Sequence, residues 1–271
     1  MMVTTTKKME ESQMKVIYVN EANLGDVQAE ALDVAMALGY FDGVHLGHQE
    51  VVKAAKQQAL KQQLSLAVLS FFPHPKSVLI PGFEVAYLEP IEQKIEKLER
   101  LGVDIFYVVE FTKELAKIEA ADFMQQYVIG LGAKEIICGF DYTYGAKASG
   151  KAKAIQQHVP MSIGVTVVEE LKWQGQKISS TLIRKYLREC RLQEIRSLLG
   201  DYYKTKYCCK NGILPNYSLP NIGKYKILIE KDGAISEAIA RVKSKKKILL
   251  EYDNSAFDSV LTIKWLEKIG S

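Results

Sequence analysis

No apolar run in this sequence reaches about 18 residues, so a membrane-spanning helix is not expected. The opening "MMVTTTKKMEESQ" lacks an apolar signal core and reads as a frayed leader. Cysteine is scarce. Cys138, Cys190, Cys208 and Cys209 lack the spacing of a zinc knuckle, and the adjacency of the last two is awkward for a disulfide framework or for mutual ligation. No metal cluster is signalled, and a reduced, cytoplasmic compartment is the expectation. Charge of one sign is lacking too, since 36 Lys and Arg face 32 Asp and Glu for a formal net charge of +4. The basic residues are dispersed among the acids with no basic and aromatic stripe, so neither nucleic acid nor a membrane is an expected partner. The small excess suits phosphorylated small molecules.

What is present is 271 residues at 48% hydrophobic content, enough for one large domain or for a larger and a smaller one. Strand candidates alternate with helical stretches as far as residue 200. "MKVIYVN", "VAMALGYF", the nearly continuous "LSLAVLSFF", "VDIFYVVEF", "KEIICGF" and "SIGVTVVEE" read as strands. Between them, 49–62 has a helical rhythm through Val51, Val52, Ala55, Ala59 and Leu60, and "EPIEQKIEKLERLG" places Ile91, Ile95 and Leu98 on one face. "EAADFMQQYVIGLG" and a short piece near Ala154 are also helical, and "ISSTLIRKYLRECRLQEIRSLLG" predicts two short helices. This order argues for an α/β, doubly wound, Rossmann-like domain over 14–200. Beyond Gly200, "NGILPNYSLPNIG" is rich in turn residues, and "KYKILIEK", "AISEAIARV", "KKILLEY" and "SVLTIKWL" predict a second, small, mostly β domain over 201–271.

Four stretches carry candidate chemistry. In "GYFDGVHLGHQE", Gly39, Gly43 and Gly47 surround Asp42, His45 and His48 where a strand gives way to a helix. Two histidines there could be metal ligands, an acid and base pair, a phosphate site or polar loop residues. The glycines and the helix start favour phosphate, which would meet backbone N–H groups as well as imidazoles. A zinc pair finds no third and fourth ligand from the spacing, although distant residues can converge. In "ISSTLIR", Ser180 and Thr181 offer hydroxyls near a helix start and Arg184 lies a turn further on; a serine cap with a solvated arginine is the plainer reading. "GFDYTYGAKASG" presents Asp141, Tyr142 and Tyr144 on a connection after Gly139, or simply packs its aromatics in a turn. In "FFPHP", Pro73 and Pro75 stiffen a strand end and fix His74, which is otherwise structural.

Taken together, "GYFDGVHLGHQ", "FFPHP", "GFDYTYGAKASG" and "ISSTLIR", in this order, resemble the adenylyltransferase module of bacterial FAD synthetases, the bifunctional riboflavin kinase and FMN adenylyltransferase family. The resemblance implies adenylyl transfer from ATP to FMN, giving FAD and pyrophosphate, with Mg²⁺ bridging ATP phosphates. It implies catalytic roles for His45, His48 and Arg184. By the same resemblance Gly39, Phe41, Asp42, Gly43, Gly47, His74 and Pro75 bind the substrates, as do Gly139, Asp141, Tyr142, Tyr144, Ser179, Ser180 and Thr181. Protein partners and self-association are not indicated. Two departures stand out: Tyr40 replaces the family's usual Asn, and Phe72 replaces its acidic residue before "PHP". The last third departs further. "YYKTKYCCKNGILPNYSLPNIGKY" has no "GxPTxN" element, and "AFDS" stands where the family has "DLYG", which implies a barrel-like remnant without riboflavin kinase activity. A flavin or nucleotide sensor, and a transferase for another phosphorylated acceptor, are the alternatives.

Overall fold

The structure is a computed structural model that describes residues 13–208, 210, 212–214, 216–252 and 260–270. The expectations for the leader, for Cys209 and for the "AFDS" turn lie outside these residues.

The chain runs β1 (Lys15–Val19), α1 (Leu24–Ala29), β2 (Val34–Leu38), α2 (Leu46–Gln62), β3 (Ser65–Phe72), α3 (Pro75–Leu79), α4 (Ile91–Arg100), β4 (Ile105–Glu110), α5 (Ala120–Phe123) and β5 (Ala133–Gly139). The ribbon β6 (Thr143–Tyr144) and β7 (Gly150–Lys151) follows, then α6 (Ile155–His158) and β8 (Gly164–Val168), and a second ribbon of β9 (Lys172–Trp173) and β10 (Gln176–Lys177). Strands β1, β2, β3, β4, β5 and β8 form one parallel sheet in the order β1-β4-β3-β2-β5-β8. Every residue of β2 is buried, as a strand covered on both faces requires. From β2 the chain steps outward to β3 and β4, then crosses back over β3 and β2 to place β5 on the other side of β2. The carboxyl ends of β2 and β5 therefore flank the topological switch point where open α/β sheets bind ligands.

Helix α2 buries Val51, Val52, Ala55 and Ala59 against β2, β3 and β5, whereas Leu60, expected with them, is exposed because it falls on the outer side of the helix. It begins earlier than its apolar rhythm does, because the His45 side chain caps it and carries Leu46 to His48 into the first turn. In α4, Leu98 is buried as expected, but so are Gln93 and Lys94, whose polar side chains apolar periodicity does not place inside. After α5 the predicted helix continues as a π-helical turn, Met124–Ile129.

Helices α7 (Ser180–Arg188) and α8 (Leu192–Leu199) lead into β11 (Tyr203–Cys208), β12 (Gly212–Ile213), β13 (Gly223–Lys231), β14 (Ala234–Ser244), β15 (Lys247–Glu251) and β16 (Val260–Gly270). These six strands make an antiparallel sheet, β12-β11-β16-β13-β14-β15, whose two edge strands lie against each other so that it nearly closes into a barrel. Alternate residues of β13 are buried, the period of two expected of a sheet with one wet face. The interior is filled by Tyr203, Tyr225 and Trp265, and the indole N–H of Trp265 donates to Thr205 at 3.0 Å. One continuous apolar cluster joins α7 and α8 to this sheet.

Candidate active site

A cleft of about 760 Å³ opens at the switch point. It gathers the segments that follow β2, β3, β5 and β8 and the start of α7. Gly39, Phe41, His45, Gly47, His48, His74, Pro75, Gly139, Asp141, Tyr142, Tyr144, Ser179, Ser180 and Thr181 all line it. Four motifs that are far apart in the chain thus face one space.

The two histidines are organised by the start of α2. His45 Nδ1 accepts the His48 N–H at 3.2 Å, so a neutral His45 ring carries its proton on Nε2. The imidazoles stack with centroids 3.6 Å apart at 15°, and the edge of Phe41 packs on His48 at 5.2 Å. Burial, followed by the charge of Lys177, pushes His45 down to about 4. Burial, followed by the neighbouring His45, holds His48 well below the usual range. Near pH 7 both rings are neutral donors and acceptors rather than cations. His48 Nδ1 is buried without a protein partner. The amides of Leu46 and Gly47 lie in the first turn, where no intrahelical acceptor is available, and with the imidazoles they make a set of donors of the kind that receives an anion.

Three aromatic rings of the cleft rest on glycines. A Cβ on Gly39 would fall 2.9 Å from Phe41 Cζ, one on Gly47 3.3 Å from His45 Nδ1, and one on Gly150 2.5 Å from Tyr144 Cε2. Phe41 itself sits at φ 54° and Gly43 at φ 83°, so the loop doubles back sharply before α2.

Asp42, Gly43 and Arg184 are not among the residues that line the cleft; they pack beside it, around residues 86–89. The Asp42 carboxylate is buried, accepts the Leu88 N–H at 3.0 Å and the Glu89 N–H at 3.2 Å, and pairs with Arg184. A Cβ on Gly43 would lie 3.0 Å from Leu88 Cδ1. Close packing and a committed carboxylate therefore hold these three residues in the scaffold. Ser179 is the cap of α7, its Oγ accepting the Leu182 N–H at 3.2 Å, while Ser180 Oγ donates to the Asp42 carbonyl at 2.8 Å.

Lys94 and Lys97, one turn apart on α4, donate to the carbonyls of Tyr40 (2.8 Å) and Gly43 (3.2 Å). Burial lowers Lys94 to about 8. Its ammonium also lies 4.7 Å from the centre of the Tyr40 ring, whose edge meets His74 at 4.6 Å. Tyr40 thereby makes a wall of the cleft that a shorter Asn could not. Phe72 stacks on Tyr87 at 6.4 Å.

On the opposite side Lys177 pairs with Asp141 and lies 4.6 Å over the Phe140 ring. The Tyr142 hydroxyl is buried and unpartnered, and burial raises its pKa. The Tyr144 hydroxyl bonds His158 Nδ1 at 2.7 Å. Phe71, the first residue of "FFPHP", joins Phe111, Leu115 and Phe123, which lie outside the motifs, in an apolar end of the cleft. Its signal was available only in part, as the apolar ends of β3 and β4. Lys177, next to "ISSTLIR", also lines the cleft from outside the four motifs, as do Glu169 and Glu170.

Lys177→Met should raise the His45 pKa from about 4 toward its ordinary value, because removing a nearby cation favours the imidazolium. The rise should be incomplete, since burial remains the larger cause. Titrating the imidazole resonances checks it, and an unmoved His45 rejects the assigned influence of Lys177.

Residues 27–182 match the FAD synthetase family. The bifunctional riboflavin kinase/FMN adenylyltransferase of Listeria monocytogenes is 34% identical, with 94% of this chain and 89% of the relative covered. Its Bacillus subtilis counterpart is 32% identical over 95% and 90%. An FAD synthetase of L. monocytogenes is 31% identical over 78% of this chain and 86% of its own length. Among solved structures, a macrolide-efflux protein from Streptococcus pneumoniae matches with a TM-score of 0.84 and 26% identity, covering 95% of this chain and 91% of that one. Among the described residues of this chain, no helix is long and apolar enough to cross a membrane. By the extent of the family match and the coverage of these relatives, the chain belongs to the FAD synthetase family.

Proposed function

We propose that the protein transfers the adenylyl group of ATP to FMN, forming FAD and pyrophosphate. The observation that carries this reading is the meeting in one cleft of an anion site at the start of α2, hydroxyls at the start of α7 and an aromatic, apolar compartment. A phosphate oxygen of FMN attacks the α-phosphorus of ATP, the bond from that phosphorus to the bridging oxygen breaks, and the electron pair leaves with pyrophosphate. The FMN phosphate is already an anion, so no serine nucleophile and no strong base are needed; placement and charge stabilisation dominate. His45 and His48 act as neutral hydrogen-bond donors to the phosphates, together with the amides of Leu46 and Gly47. The Thr181 hydroxyl, the Ser180 backbone N–H in the first turn of α7 and Lys177 serve the same anions from the facing side, while the Ser180 hydroxyl is committed to the Asp42 carbonyl. Arg184 acts indirectly, by fixing Asp42 and the start of α7.

Among the described residues, no group of three or more His, Cys, Asp or Glu could hold a metal ion. The carboxylates along the cleft are Asp141, already paired with Lys177, and Glu169 and Glu170. This donor set fits a Mg²⁺ that enters on the triphosphate and keeps water ligands, supplying charge neutralisation when bound. We place the protein in the cytoplasm, in keeping with free Cys138, Cys190 and Cys208. We assign adenylyl transfer to 14–200 and read 201–271 as a folded β module without riboflavin kinase activity, because its sequence has no "GxPTxN" element.

Incubating the protein with Mg²⁺ and ATP, in one arm with FMN and in the other with riboflavin, tests these assignments when FAD, FMN and pyrophosphate are resolved. FAD and pyrophosphate are expected from FMN alone. Binding without FAD formation favours the sensor reading, and FMN made from riboflavin overturns the loss of kinase activity.

A further inference from the structure

Residues 86–89 form an irregular strap between the β module and the back of the Tyr40–His45 loop. One side of the strap belongs to the module. The Tyr87 N–H donates to the Asn216 carbonyl at 2.6 Å and the Ser218 N–H donates to the Tyr87 carbonyl at 2.7 Å, which makes a parallel bridge between Tyr87 and Tyr217. Ser218 Oγ donates to the Ala86 carbonyl at 2.8 Å, and the Tyr203 hydroxyl holds the Ser218 carbonyl at 2.6 Å. Leu88 is wholly buried in the apolar cluster that contains Tyr203, Tyr225 and Trp265.

The other side of the strap belongs to the cleft. Leu88 and Glu89 donate their N–H groups to Asp42. The Ala86 carbonyl that accepts from Ser218 also accepts from Arg184 at 3.1 Å. The Tyr87 hydroxyl accepts the His74 N–H at 3.3 Å, and its ring stacks on Phe72. Outside helix and sheet, backbone groups are aimed only by the partners they find. Here the strap's partners on one side are residues 216–218, and on the other they are the groups that set the Asp42 and Arg184 geometry.

We propose that the β module takes part in adenylyl transfer as a positioning element: through Ser218 and the 86–89 strap it fixes Asp42 and Arg184, and through them the loop that carries His45 and the start of α7. The inference rests on the adenylyltransferase reading above. It accounts for a module that keeps a packed core while its sequence has no nucleotide element, because what the cleft uses is the edge at Tyr217 and Ser218.

The test compares the full-length wild type with Ser218→Pro, Ser218→Ala and Ser218→Thr, using FMN and ATP as substrates. Ser218→Pro removes the N–H given to Tyr87 and should lower kcat by about tenfold or more, with KM for both substrates within about threefold, since prepaid orientation is what is lost. Ser218→Ala removes only the bond to Ala86 and should cost about threefold, while Ser218→Thr keeps the hydroxyl and restores turnover. The His45 and His48 imidazole resonances should shift in Ser218→Pro while the urea midpoint, followed by the emission of Trp265 in a Trp173→Phe background, stays near that of the same background with Ser218. A folded Ser218→Pro with wild-type kcat and unmoved imidazoles overturns the proposal, as does a Ser218→Thr no better than Ser218→Ala. Should the proline variant not fold, the alanine and threonine pair decides the matter. If the wild type makes no FAD, the activity assignment fails, and the imidazole shifts still test the strap.

Discussion

Replacing His48 with alanine is expected to lower FAD formation by about 10²- to 10³-fold with little change in stability, the scale of losing one donor to developing charge. The separation of the two effects follows from how His48 is held. Its backbone N–H, not its ring, completes the cap with His45, and alanine keeps that bond. The ring Nδ1 has no protein partner, so its removal orphans nothing. Alanine is also the best helix former for the first turn of α2. What disappears is one imidazole facing the phosphates, and the stacking that keeps its neighbour in place. Single-turnover FAD formation at saturating ATP and FMN measures the loss, and a folded His48→Ala variant with more than about a tenth of wild-type turnover would falsify the role.

Asp42→Ala should fail in the opposite way, by destabilising the protein by roughly 3–5 kcal/mol. Its side chain is only 3% exposed, and three donors converge on it: the Leu88 N–H, the Glu89 N–H and the Arg184 guanidinium. Alanine leaves the two amides unpaired and the guanidinium without its counter-charge, and the amides belong to a buried segment from which water cannot easily replace the lost acceptor. Asp42→Asn keeps one acceptor oxygen and loses the charge, so it should lie between wild type and alanine. Urea unfolding gives the order directly; an alanine variant within about 1 kcal/mol of wild type contradicts the buried pairing. Turnover falls in both variants, because the loop in front of Asp42 carries His45.

The larger architecture is legible from local pattern. "LSLAVLSFF" is hydrophobic almost throughout because β3 is covered on both faces, and the alternation of such runs with helical ones is what a parallel sheet requires. Helix starts are less legible where a side chain caps them from outside the apolar rhythm, as His45 does for α2. Lys94 escapes because its ammonium is held by the carbonyl of Tyr40, more than 50 residues earlier, and no periodicity records that partner. The cleft follows the same division. Motifs identify the histidines and the ISST segment, since their chemistry is local. The scaffold role of Asp42 and Arg184 depends on a strap and a β module that only the fold brings to them. Residues 203–208 make a full strand whose alternating burial is present in "YYKTKYC" but is easily passed over beside so many turn residues.

The seating of Phe41, His45 and Tyr144 on Gly39, Gly47 and Gly150 bears on how this protein can drift. A methyl added at any of the three glycines acts first on a ring two to six positions away, so its damage is registered as an altered ligand wall rather than as a broken turn. In a saturation library these glycines would sort with the substrate-contacting positions although they offer no side chain of their own. A tolerated change at one of them calls for a simultaneous, smaller partner at the ring, so each glycine and its ring are expected to change together.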